Sequence, residues 1–524
     1  MDRYTIGIDF GSNNGRIVLI EIERGYEVYS TEMPYRHGNI AERFHIESEY
    51  VLHHPIDYLT IILKGIPKIL KQTGIKPNHI VAIGIDATTS SVLPTNNEGV
   101  PLCFDDEYCK SPHAYIKLWK DHSAQKEAIY LNGILGGERK LSAEWLIPKI
   151  AHIYVQDRMI YDAASRFMEV GDWIVWYMTG NERRGRLQAE FTSTWNFDKG
   201  FIDNAVLEKF SDDFKDVYSK LADKYYYPYE VAGEIRPDIT DVIGLPSNVL
   251  VCVSNIDAIA AMAATGVTEA NALVSVIGTS SCHLIHSEDN KDIPLSEKVK
   301  DAVIPGLYTY ISSQVAVGDC FRWCFENIIP YKYHKEARKR GLTVLDYIET
   351  KINERIPMQS GCVALACLNG FRVGSGGRGF IGGINLNTDF IDIYQSFIEA
   401  TAFDLKEIVD SYESNDIAVK KIIATGGIAY KSPAIMQIYS NVLGKCIFLS
   451  KSSQSSAFGS AVYAAAAWEK MDDKTVSFLD VVQRMGGIRN TFFEPSVEYQ
   501  KSYAMAYPLY LRIKDLSSDM FTEW

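Results

Sequence analysis

The first residues of the chain form short apolar runs separated by polar turns. Residues 4–10 are mainly apolar and carry Asp9 near their end, and a Gly-Ser-Asn-Asn turn follows at 11–14. Residues 15–22 and 26–33 form the next two runs. Apolar runs of this length, bounded by turn residues, predict three strands of an antiparallel meander. The first turn carries no GxGxxG opening a helix, so the pattern does not indicate a dinucleotide-binding start.

A helix and a second carboxylate-bearing strand follow the meander. Residues 56–73 place apolar side chains at nearly helical spacing, which predicts a helix with one buried face. Residues 81–86 then predict a buried strand. Its Ile-Gly-Ile-Asp sequence, which ends at Asp86, repeats the Ile-Gly-Ile-Asp that ends at Asp9. Two strands thus deliver a carboxylate to their ends, although a single tetrapeptide can also recur by chance.

The second half of the chain restarts this pattern. Residues 250–253 predict an apolar strand, and Asp257 follows it before an Ala-rich helix over 258–264. Residues 272–277 predict a further strand that ends in Gly-Thr-Ser-Ser. The chain then returns, so that 278–286 completes a strand–turn–strand unit similar to the one at the N-terminus.

One more strand and the length of the chain indicate two domains. Residues 421–424 predict a strand that ends in Thr-Gly-Gly at 425–427. A chain of 524 residues is too long for one compact core. We therefore predict two α/β domains with a cleft between them, the first over residues 1–250 and the second over residues 251–524.

Composition and charge narrow the range of partners. The chain is 47% hydrophobic and 23% charged, as ordinary globular proteins are. Its net charge of −13 disfavours nucleic acid, because phosphate backbones are bound by a concentrated basic face. The densest basic cluster, at Arg183, Arg184 and Arg186, is interpreted as a solvated loop or hairpin edge. Local backbone N–H groups and Mg²⁺ can still bind the phosphates of a nucleotide.

The cysteines and the first residues of the chain indicate the cellular compartment in which the protein is expected. The nine cysteines form no CxxC pair, which favours free buried thiols in a reducing cytosol over a zinc site. Met1 leads into a strand pattern with no signal peptide before it, and no apolar run reaches membrane length. We expect a soluble, cytoplasmic protein without a membrane partner.

The first turn has the residues of a phosphate site. Small residues at Gly11 and Ser12 let backbone N–H groups approach phosphate oxygens. Asp9 can hold a Mg²⁺ ion through water, because this ion keeps much of its hydration. Arg16 supplies a fork-shaped cation. The alternative interpretation is an ordinary hairpin turn.

Two turns in the second half are similar candidates. The turn Gly278-Thr279-Ser280 can cradle phosphates, or its hydroxyl groups can satisfy local backbone groups. Gly426 and Gly427 permit either a flat ligand or a close helix–strand contact. The residues alone leave both alternatives open at each turn.

Asp257 stands where a strand gives way to a helix. A carboxylate there can cap the helix, which contributes about 1 kcal/mol. It can instead act as a general base that takes the proton of a hydroxyl group attacking a γ-phosphate. Trp119, Lys120 and Glu144 add aromatic and polar groups of the kind that sugar sites need, although ordinary cores need them as well.

Together these motifs resemble the FGGY carbohydrate kinases over nearly the whole chain. The Asp-Phe-Gly-Ser-x-x-x-Arg of residues 9–16 resembles the first phosphate loop of that family. Gly278-Thr279-Ser280 resembles the second phosphate loop. Asp257 falls where the family keeps its catalytic base.

Two further segments resemble the nucleotide-binding motifs of the family. Gly426-Gly427 with Gln437 resembles the adenosine motif, although Ser440-Asn441 stands where many members have Ala-Asp. The Ala-Phe-Gly-Ser-Ala of residues 457–461 resembles the helix start that closes the nucleotide pocket.

The resemblance implies a fold, cofactors and partners. It implies two ribonuclease-H-like domains of the actin-type ATPase fold, with a catalytic cleft between them. ATP and Mg²⁺ are expected mostly against the C-terminal domain, and a sugar mostly against the N-terminal domain. Closure is expected to align the hydroxyl group, the base and the γ-phosphate. The family also suggests a homodimer, which no sequence feature demonstrates.

Narrower segments resemble the ribulokinases within this family. They lie at residues 53–58, 117–122, 142–145, 171–175 and 314–319. Two positions depart from the ribulokinase pattern: Thr192 stands where a substrate-contacting Lys is expected, and Ile311 stands where a Glu is expected. Both departures fall on sugar-recognition positions, and losing such groups can change the substrate.

The predicted function is ATP-dependent phosphorylation of a sugar hydroxyl group, with a ketopentose such as ribulose as the first candidate. Xylulose, another ketose or a pentitol is the alternative substrate. A non-catalytic, actin-like nucleotide-binding protein is the alternative of a different class, and Asp257 beside intact phosphate loops argues against it.

The predicted site residues fall into four groups. The catalytic base is Asp257, and the metal-binding residue is Asp9. The ATP- and phosphate-binding residues are Gly11, Ser12, Arg16, Gly278, Thr279, Ser280, Gly426, Gly427 and Gln437. The sugar-binding residues are Thr89, Trp119, Lys120, Glu144, Thr192, Ile311 and Gln314.

Overall fold

The chain folds into two compact units. The computed structural model describes residues 2–46, 49–136, 141–193, 195–197, 199–201, 204–368 and 378–521, which include every predicted site residue. The first unit comprises Met1–Val267 and Gln454–Gly487. The second unit comprises Thr268–Ser453 and Ile488–Trp524.

Strands occur throughout both units. The described strands of the first unit are β1 (Tyr4–Phe10), β2 (Asn14–Glu21), β3 (Tyr26–Pro34), β4 (Leu52–His53), β5 (Ile80–Ala87), β6 (Val92–Thr95), β7 (Ile116–Lys117), β8 (Arg166–Glu169), β9 (Arg184–Gly185), β10 (Tyr225–Tyr226), β11 (Val231–Glu234), β12 (Leu250–Cys252) and β13 (Asn255–Ile256). Those of the second unit are β14 (Ala272–Ile277), β15 (Ser281–Ser287), β16 (Glu297–Lys300), β17 (Tyr308–Gln314), β18 (Val363–Leu365), β19 (Phe380–Gly382), β20 (Lys421–Thr425), β21 (Ile447–Ser450) and β22 (Ile488–Phe493).

Helices connect these strands. The first unit contains α1 (Pro55–Thr73), α2 (Gln125–Leu135), α3 (Leu146–Gln156), α4 (Arg158–Ala163), α5 (Val170–Thr179), α6 (Arg186–Thr192), α7 (Asn204–Phe210), α8 (Pro237–Ile243) and α9 (Asp257–Ala264). The second contains α10 (Gly318–Asn327), α11 (Tyr331–Lys339), α12 (Val344–Asn353), α13 (Phe390–Ser414), α14 (Gly427–Lys431) and α15 (Pro433–Leu443). Helices α16 (Ser455–Asp472) and α17 (Phe478–Met485) belong to the first unit, and α18 (Val497–Phe521) belongs to the second.

The main sheet of the first unit has the strand order β3-β2-β1-β5-β12-β11. Strand β1 pairs antiparallel with β2 and parallel with β5, and β12 continues the parallel part. Strand β11 pairs antiparallel with β12 at the edge. The predicted N-terminal meander, the helix at 56–73 and the buried strand at 81–86 are confirmed by β1–β3, α1 and β5.

The main sheet of the second unit repeats this order. It runs β16-β17-β15-β14-β20-β21-β22. Strand β14 pairs antiparallel with β15 and parallel with β20, β21 is parallel to β20, and β22 is antiparallel to β21. Six neighbouring strands of this sheet, taken in space from β17 to β22, have the same sequence of antiparallel and parallel pairs as the first sheet taken from β3 to β11. The sequence repeat of a strand, a small turn and a returning strand is thus part of a repeat of a whole sheet.

The two units divide the chain differently from the boundary predicted between residues 250 and 251. Strand β12 pairs with β5, and α9 packs against α16. Residues 251–267, with Asp257, therefore lie in the first unit, and so does the later segment Gln454–Gly487. Hydrophobic pattern alone does not reveal that a distant helix packs on the first sheet.

Glycine residues allow α16 to pack closely on that sheet. A methyl group on Gly7 of β1 would lie 1.7 Å from the carbonyl oxygen of Ala457. One on Gly84 of β5 would lie 1.9 Å from the carbonyl oxygen of Ser460. Both positions therefore require glycine for a steric reason. The 457–461 motif thus lies in the first turns of a helix of the first unit, whereas the turns at 278–280 and 426–427 belong to the second unit.

The basic cluster near residue 184 is not a solvated loop. Arg184 and Arg186 are each only 3% exposed. Arg184 donates to the carbonyl oxygen of Phe167 at 2.8 Å and to Glu182 Oε1 at 2.8 Å, and Arg186 pairs with Glu190 at 2.9 Å. The sequence interpretation was wrong because it considered the positive charges without the carboxylates that accept their hydrogen bonds.

Two other expectations concern cysteines and membrane spans. All nine cysteines lie in the described part of the chain and none is disulfide-bonded there. Six of them are buried, and burial raises the pKa of several, including Cys252, whose pKa is about 12. Within the same described residues, no helix has the length and apolar character needed to cross a membrane.

Candidate active site

Three carboxylates lie at the ends of neighbouring strands in the first unit. Asp9 is near the end of β1 and is opposite Asp86 of β5 in the parallel register. Asn255 of β13 pairs with Asp86 on its other side, and Asp257 begins α9 two residues later. Asp9 and Asp86 are buried, and Asp257 is partly exposed. The carboxyl ends of parallel strands thus gather the three aspartates, which we call the carboxylate row.

The hairpin between β1 and β2 supports the first member of the row. Arg16 lies opposite Asp9 in the antiparallel register and donates from Nη1 to Asp9 Oδ2 at 2.6 Å. The Gly11 N–H closes the turn on the carbonyl oxygen of Asn14 at 3.0 Å. Ser12 Oγ accepts a hydrogen bond from Trp119 Nε1 at 2.8 Å. The hydroxyl hydrogen of Ser12 can therefore still donate to another acceptor.

Asp257 begins helix α9, and its carboxyl has a raised pKa. Burial and the negative charge of Asp9 raise the pKa of its carboxyl to about 7, while the Ala258 N–H and Arg16 oppose the shift. Its Oδ1 accepts from the Ala258 N–H at 2.7 Å. Ile256 is the N-cap residue, so Asp257 does not cap the helix in the usual way. A carboxyl with this pKa can accept a proton at neutral pH.

Asp86 is a member of the row that the sequence placed at a strand end without giving it a role. Its Oδ2 accepts from Ser460 Oγ of α16 at 2.5 Å. Its Oδ1 is buried, and no described residue forms a hydrogen bond with it. Burial and the charge of Asp9 raise the pKa of the Asp86 carboxyl well above its ordinary value. The repeated Ile-Gly-Ile-Asp was the signal that could have identified it.

The carboxylate row suits a Mg²⁺ ion that is shared with phosphate groups. The described residues contain no group of three or more His, Cys, Asp or Glu side chains arranged to hold a metal ion by themselves. Mg²⁺ is commonly bound by one or two carboxylates, with waters and substrate phosphates as the other ligands. Asp9 and Asp86, with the unpartnered Oδ1 of Asp86, fit that mode.

Several predicted sugar-binding residues lie on loops of the first unit. Thr89 follows β5, and its buried Oγ1 forms no hydrogen bond with a described residue. Trp119 and Lys120 follow β7 and are partly exposed. Glu144 is buried, with Oε1 3.4 Å from His122 Nε2.

Thr192 ends helix α6 and is buried. Its Oγ1 donates to the carbonyl oxygen of Gln188 at 2.8 Å and lies 3.3 Å from Glu169 Oε1. Burial raises the pKa of the Glu169 carboxyl to about 7, and the nearby charge of Asp172 adds to this. The position that departs from the ribulokinase pattern thus contacts a buried carboxyl group.

Glu169 and Lys149, which both bind Ser90, stand in no motif of the sequence. The Lys149 ammonium is buried and donates to the carbonyl oxygens of Ser90 at 2.8 Å and Leu118 at 2.5 Å. Burial lowers the pKa of Lys149 to about 8, while nearby carboxylates counteract the shift. Each residue lies in a mainly apolar stretch, where no pattern of neighbouring residues indicates its partners.

The predicted phosphate turn of the second unit packs on a helix. Gly278, Thr279 and Ser280 connect β14 with β15, and the Gly278 N–H donates to the Ser280 carbonyl at 2.9 Å. The carbonyl oxygen of Thr279 accepts from the N–H groups of Val317 at 3.0 Å and Asp319 at 3.3 Å, where α10 begins. These bonds fix the turn through its carbonyl groups.

The predicted adenosine motif follows β20, the neighbour of β14. Gly426 has a φ of +91°, and a methyl group on it would lie 2.4 Å from the carbonyl oxygen of Ile277. Gly427 begins α14 and has no such neighbour within 4 Å among the described residues. Gln437 of α15 donates to the carbonyl oxygen of Glu494 at 2.7 Å. The sheet thus places Gly278 and Gly426 at adjacent strand ends.

Two predicted sugar-binding residues lie on β17 of the second unit. Ile311 pairs with Leu284 and with Glu297 in the sheet. The amide of Gln314 is engaged at both ends, because Nε2 donates to the Thr401 carbonyl at 2.7 Å and Oε1 lies 2.9 Å from His283 Nε2. The observed bonds of Gln314 therefore support the interior of its own unit.

Comparison with known proteins identifies the family. Residues 4–264 match the N-terminal domain of the FGGY family of carbohydrate kinases, and residues 273–468 match its C-terminal domain. A ribulokinase of Bacillus licheniformis is 33% identical over 518 residues, which cover 95% of this chain and 94% of the relative. Ribulokinase 2 of Staphylococcus saprophyticus is 34% identical over 479 residues, 88% of either chain.

The fold is shared with solved structures. The ligand-bound xylulose kinase from Lactobacillus acidophilus superposes with a TM-score of 0.80 at 17% identity and covers 99% of each chain. The expected α/β architecture of two ribonuclease-H-like domains is thereby confirmed. With both family domains matched and named relatives aligned along nearly its full length, the chain belongs to the FGGY carbohydrate kinases and is an ATP-dependent sugar kinase.

Proposed function

We propose that this kinase transfers the γ-phosphate of ATP to a hydroxyl group of a ketopentose, with ribulose as the first candidate and Asp257 as the general base. The observation that carries the proposal is the position of Asp257 at the end of the carboxylate row, where burial and the charge of Asp9 raise the pKa of its carboxyl to about 7. A carboxyl with this pKa is partly ionised near neutral pH and can accept a proton there. The relatives named ribulokinase support the sugar class.

The other residues bind and orient the reactants. Ser12 and Arg16 in the first unit, with Gly11 between the strands, offer hydrogen-bond donors to phosphate oxygens. Thr279 and Ser280 do the same in the second unit, after Gly278. Gly426, Gly427 and Gln437 border the adenosine. Thr89, Trp119, Lys120 and Glu144 contact the sugar, together with groups near Thr192, Ile311 and Gln314.

We further propose that Asp9 holds Mg²⁺ through water, with Asp86 beside it. When bound, Mg²⁺ neutralises phosphate charge and orients the phosphate chain. Arg16 fixes the Asp9 carboxylate by its 2.6 Å hydrogen bond, so that Oδ2 does not rotate freely. Ser460 fixes Asp86 in the same way through Oδ2, leaving Oδ1 available.

A different sugar is the second candidate, and the observation that favours it concerns Thr192 and Ile311. Thr192 offers a hydroxyl group beside Glu169, and Ile311 offers no hydrogen-bonding side chain. A pocket without the expected Lys and Glu has fewer charged groups with which to hold ribulose. Xylulose, another ketose or a pentitol such as ribitol then becomes the preferred substrate, while the base and phosphate turns keep their roles.

A coupled ADP-release assay tests the proposal. ATP and Mg²⁺ are supplied with D- and L-ribulose, D- and L-xylulose, ribitol, arabitol, L-fuculose, rhamnulose and glycerol. We expect turnover with at least one ketopentose and the highest kcat/KM with a ribulose. A higher kcat/KM for another sugar selects the second candidate. Binding of ATP without turnover on any sugar supports the non-catalytic alternative and contradicts the proposal.

We also propose that the enzyme acts in the cytoplasm as a homodimer, as the resemblance to the family suggests. Light scattering coupled to size-exclusion chromatography measures its mass directly. A mass near 58.9 kDa, that of one chain, would contradict the dimer.

A further inference from the structure

We propose that Lys149 and Glu169, which we call the clamp, are positioning residues that hold two sugar-site loops in place and thereby set the location of the Thr89 hydroxyl group and of Trp119. The inference rests on the proposed function, because that function places Thr89 and Trp119 at the sugar. It adds two buried residues whose hydrogen bonds run mainly to the backbone of these loops.

Lys149 joins the two loops. Its ammonium group donates to the carbonyl oxygen of Ser90 at 2.8 Å, of Leu118 at 2.5 Å and of Trp119 at 3.3 Å. An ammonium group has three N–H donors, so these three acceptors match its full capacity. A buried charge is tolerated only when it is compensated in this way. One side chain on α3 therefore fixes both the loop after β5 and the loop after β7.

Glu169 holds the loop after β5 from its other side. Its Oε1 accepts from the Ser90 N–H and its Oε2 from the Ser91 N–H, each at 3.0 Å. The N–H and carbonyl groups of Ser90 are thus bound by buried groups of opposite charge. Thr192 Oγ1 lies 3.3 Å from the same Oε1, which links the clamp to a position where this chain departs from the ribulokinase pattern.

The backbone at Ser90 explains why a clamp is needed. Ser90 has a φ of +60°, in the left-handed region that residues other than glycine adopt only when the surroundings hold them there. It is buried, and it follows Thr89 directly. Thr89 Oγ1 is buried and has no hydrogen-bond partner among the described residues. The clamp thus maintains an unfavourable turn directly after Thr89, a predicted sugar-binding residue.

The loop after β7 gains a second constraint from the same ammonium. Trp119 is held at its carbonyl oxygen by Lys149 and at its indole by Ser12 Oγ, to which Nε1 donates at 2.8 Å. Ser12 belongs to the predicted phosphate turn. Loss of Lys149 should therefore loosen the sugar loops first, while the bond from Trp119 Nε1 keeps Ser12 in place and the nucleotide residues of the second unit are unchanged.

Steady-state kinetics of Lys149→Met test the proposal. We expect the KM for the best sugar to rise roughly tenfold or more, because small misplacements of binding groups reduce productive binding strongly. The KM for ATP should stay within about twofold, as expected for loss of sugar contacts alone. Lys220→Met is the matched control, because Lys220 also donates to two backbone carbonyl groups of the first unit, at 2.8 and 3.2 Å, outside the sugar loops. The proposal would be overturned if the two variants had equal KM values for the sugar. It would also be overturned if the KM for ATP rose in Lys149→Met as much as the KM for the sugar.

A second substitution separates positioning from general stability. Glycine adopts a positive φ freely, so Ser90→Gly in the Lys149→Met background should recover part of the sugar KM. Glu169→Gln, which keeps the side-chain volume, provides the test if Lys149→Met fails to fold. It too should raise the sugar KM and not the ATP KM. Failure of Ser90→Gly to lower the sugar KM would count against the clamp.

Hydrogen exchange provides a readout that does not depend on turnover. In Lys149→Met, amide exchange should accelerate at residues 88–91 and 118–121. Glu169→Gln takes its place if Lys149→Met does not fold, and the control Lys220→Met should show no acceleration in these segments. If the wild-type chain phosphorylates no sugar of the panel, the proposed function fails. Hydrogen exchange then still shows whether the clamp holds the two loops in place. Unchanged exchange in both segments would overturn the inference.

Discussion

The two main sheets share one strand order but carry different chemistry at their strand ends. In the first unit, β1, β5 and the β13–α9 junction end in Asp9, Asp86 and Asp257. In the second unit, the corresponding ends of β14 and β20 carry Gly278 and Gly426. The same scaffold therefore gathers three carboxylates at the strand ends of one unit and glycines at the corresponding strand ends of the other.

The difference shows how a repeated fold can divide the work of a reaction. Parallel pairing brings the ends of adjacent strands together in both sheets, so whatever residues follow those strands become neighbours. Carboxylates gathered in this way raise one another's pKa values, as Asp9 does for Asp257. Glycines gathered in this way cannot titrate, and Gly426 lets its backbone lie close to Ile277, whose carbonyl oxygen would be 2.4 Å from an added methyl group. The fold sets the position, and the residue at each strand end sets the chemistry.

The largest expected effect is on the stability of the first unit. In Gly84→Ala the new methyl group would lie 1.9 Å from the carbonyl oxygen of Ser460, so α16 must move off β5. We expect a loss of about 3 kcal/mol or more in the free energy of unfolding, at the upper end for overpacking. Urea denaturation measures it. A loss below about 0.5 kcal/mol, the range of ordinary surface substitutions, would show that this contact is not tight.

A smaller effect is expected at the glycine pair of the second unit. Gly426→Ala adds a methyl group 2.4 Å from the Ile277 carbonyl oxygen at a φ of +91°, and should cost about 1–3 kcal/mol. Gly427→Ala is the matched control, because a methyl group there has no described neighbour within 4 Å. Thermal unfolding of the two variants compares them directly. Equal melting temperatures would contradict the assignment of strain to Gly426 alone.

Neutralising Asp257 should stabilise the protein, and more so at high pH. Its folded pKa of about 7 lies above the ordinary value of 3.8, so the ionised carboxylate is disfavoured in the fold. The folded state therefore loses stability as the pH rises from about 4, where the carboxyl ionises in the unfolded chain, towards 7, where it ionises in the folded protein. Asp257→Asn removes this loss, so we expect the free energy of unfolding at pH 8 to rise by roughly 1–2 kcal/mol. This is less than the whole pKa shift would give, because Asp257 is partly exposed and solvent screens its charge.

Denaturation of nucleotide-free protein in EDTA at pH 5 and pH 8 provides that test. The gain on replacing Asp257 should be larger at pH 8 than at pH 5. The same gain at both values of pH would mean that the Asp257 carboxyl has an ordinary pKa in the fold.

The smallest expected effect concerns sugar choice at Thr192. Thr192→Lys restores the residue expected of ribulokinases beside Glu169 and should raise kcat/KM for L-ribulose relative to the best other sugar by about tenfold. Thr192→Val, which removes only the hydroxyl group, is the control and should change that ratio by less than about threefold. The coupled assay gives both ratios. An equal change in the two variants would assign the effect to the lost hydroxyl group.

The sequence predicted the parts of the site that follow recognisable strands. Asp9, Asp257, Gly278 and Gly426 each come directly at or after an apolar run, so local pattern placed them at strand ends without any knowledge of packing. The repeat of strand, turn and strand indicated two similar domains for the same reason.

The rest depends on contacts between distant parts of the chain. Lys149 binds the Ser90 carbonyl 59 residues away, and Glu169 binds the Ser90 N–H 79 residues away. Neither residue stands in a motif, because a buried charge is defined by partners that the fold brings to it. The return of α16 to the first sheet has the same origin, since glycine at positions 7 and 84 matters only once a helix packs there.

We propose above all that the carboxylate row supplies the base of the reaction through Asp257. Single-turnover transfer from ATP to the best sugar should fall by about 10²–10⁴-fold in Asp257→Asn, the usual effect of removing a general base. ATP affinity, measured by calorimetry on the same sample, should stay within about threefold of wild type, because the substitution spares the phosphate turns. Transfer at nearly the wild-type rate with ATP bound normally would contradict the account and remove Asp257 from the role of base.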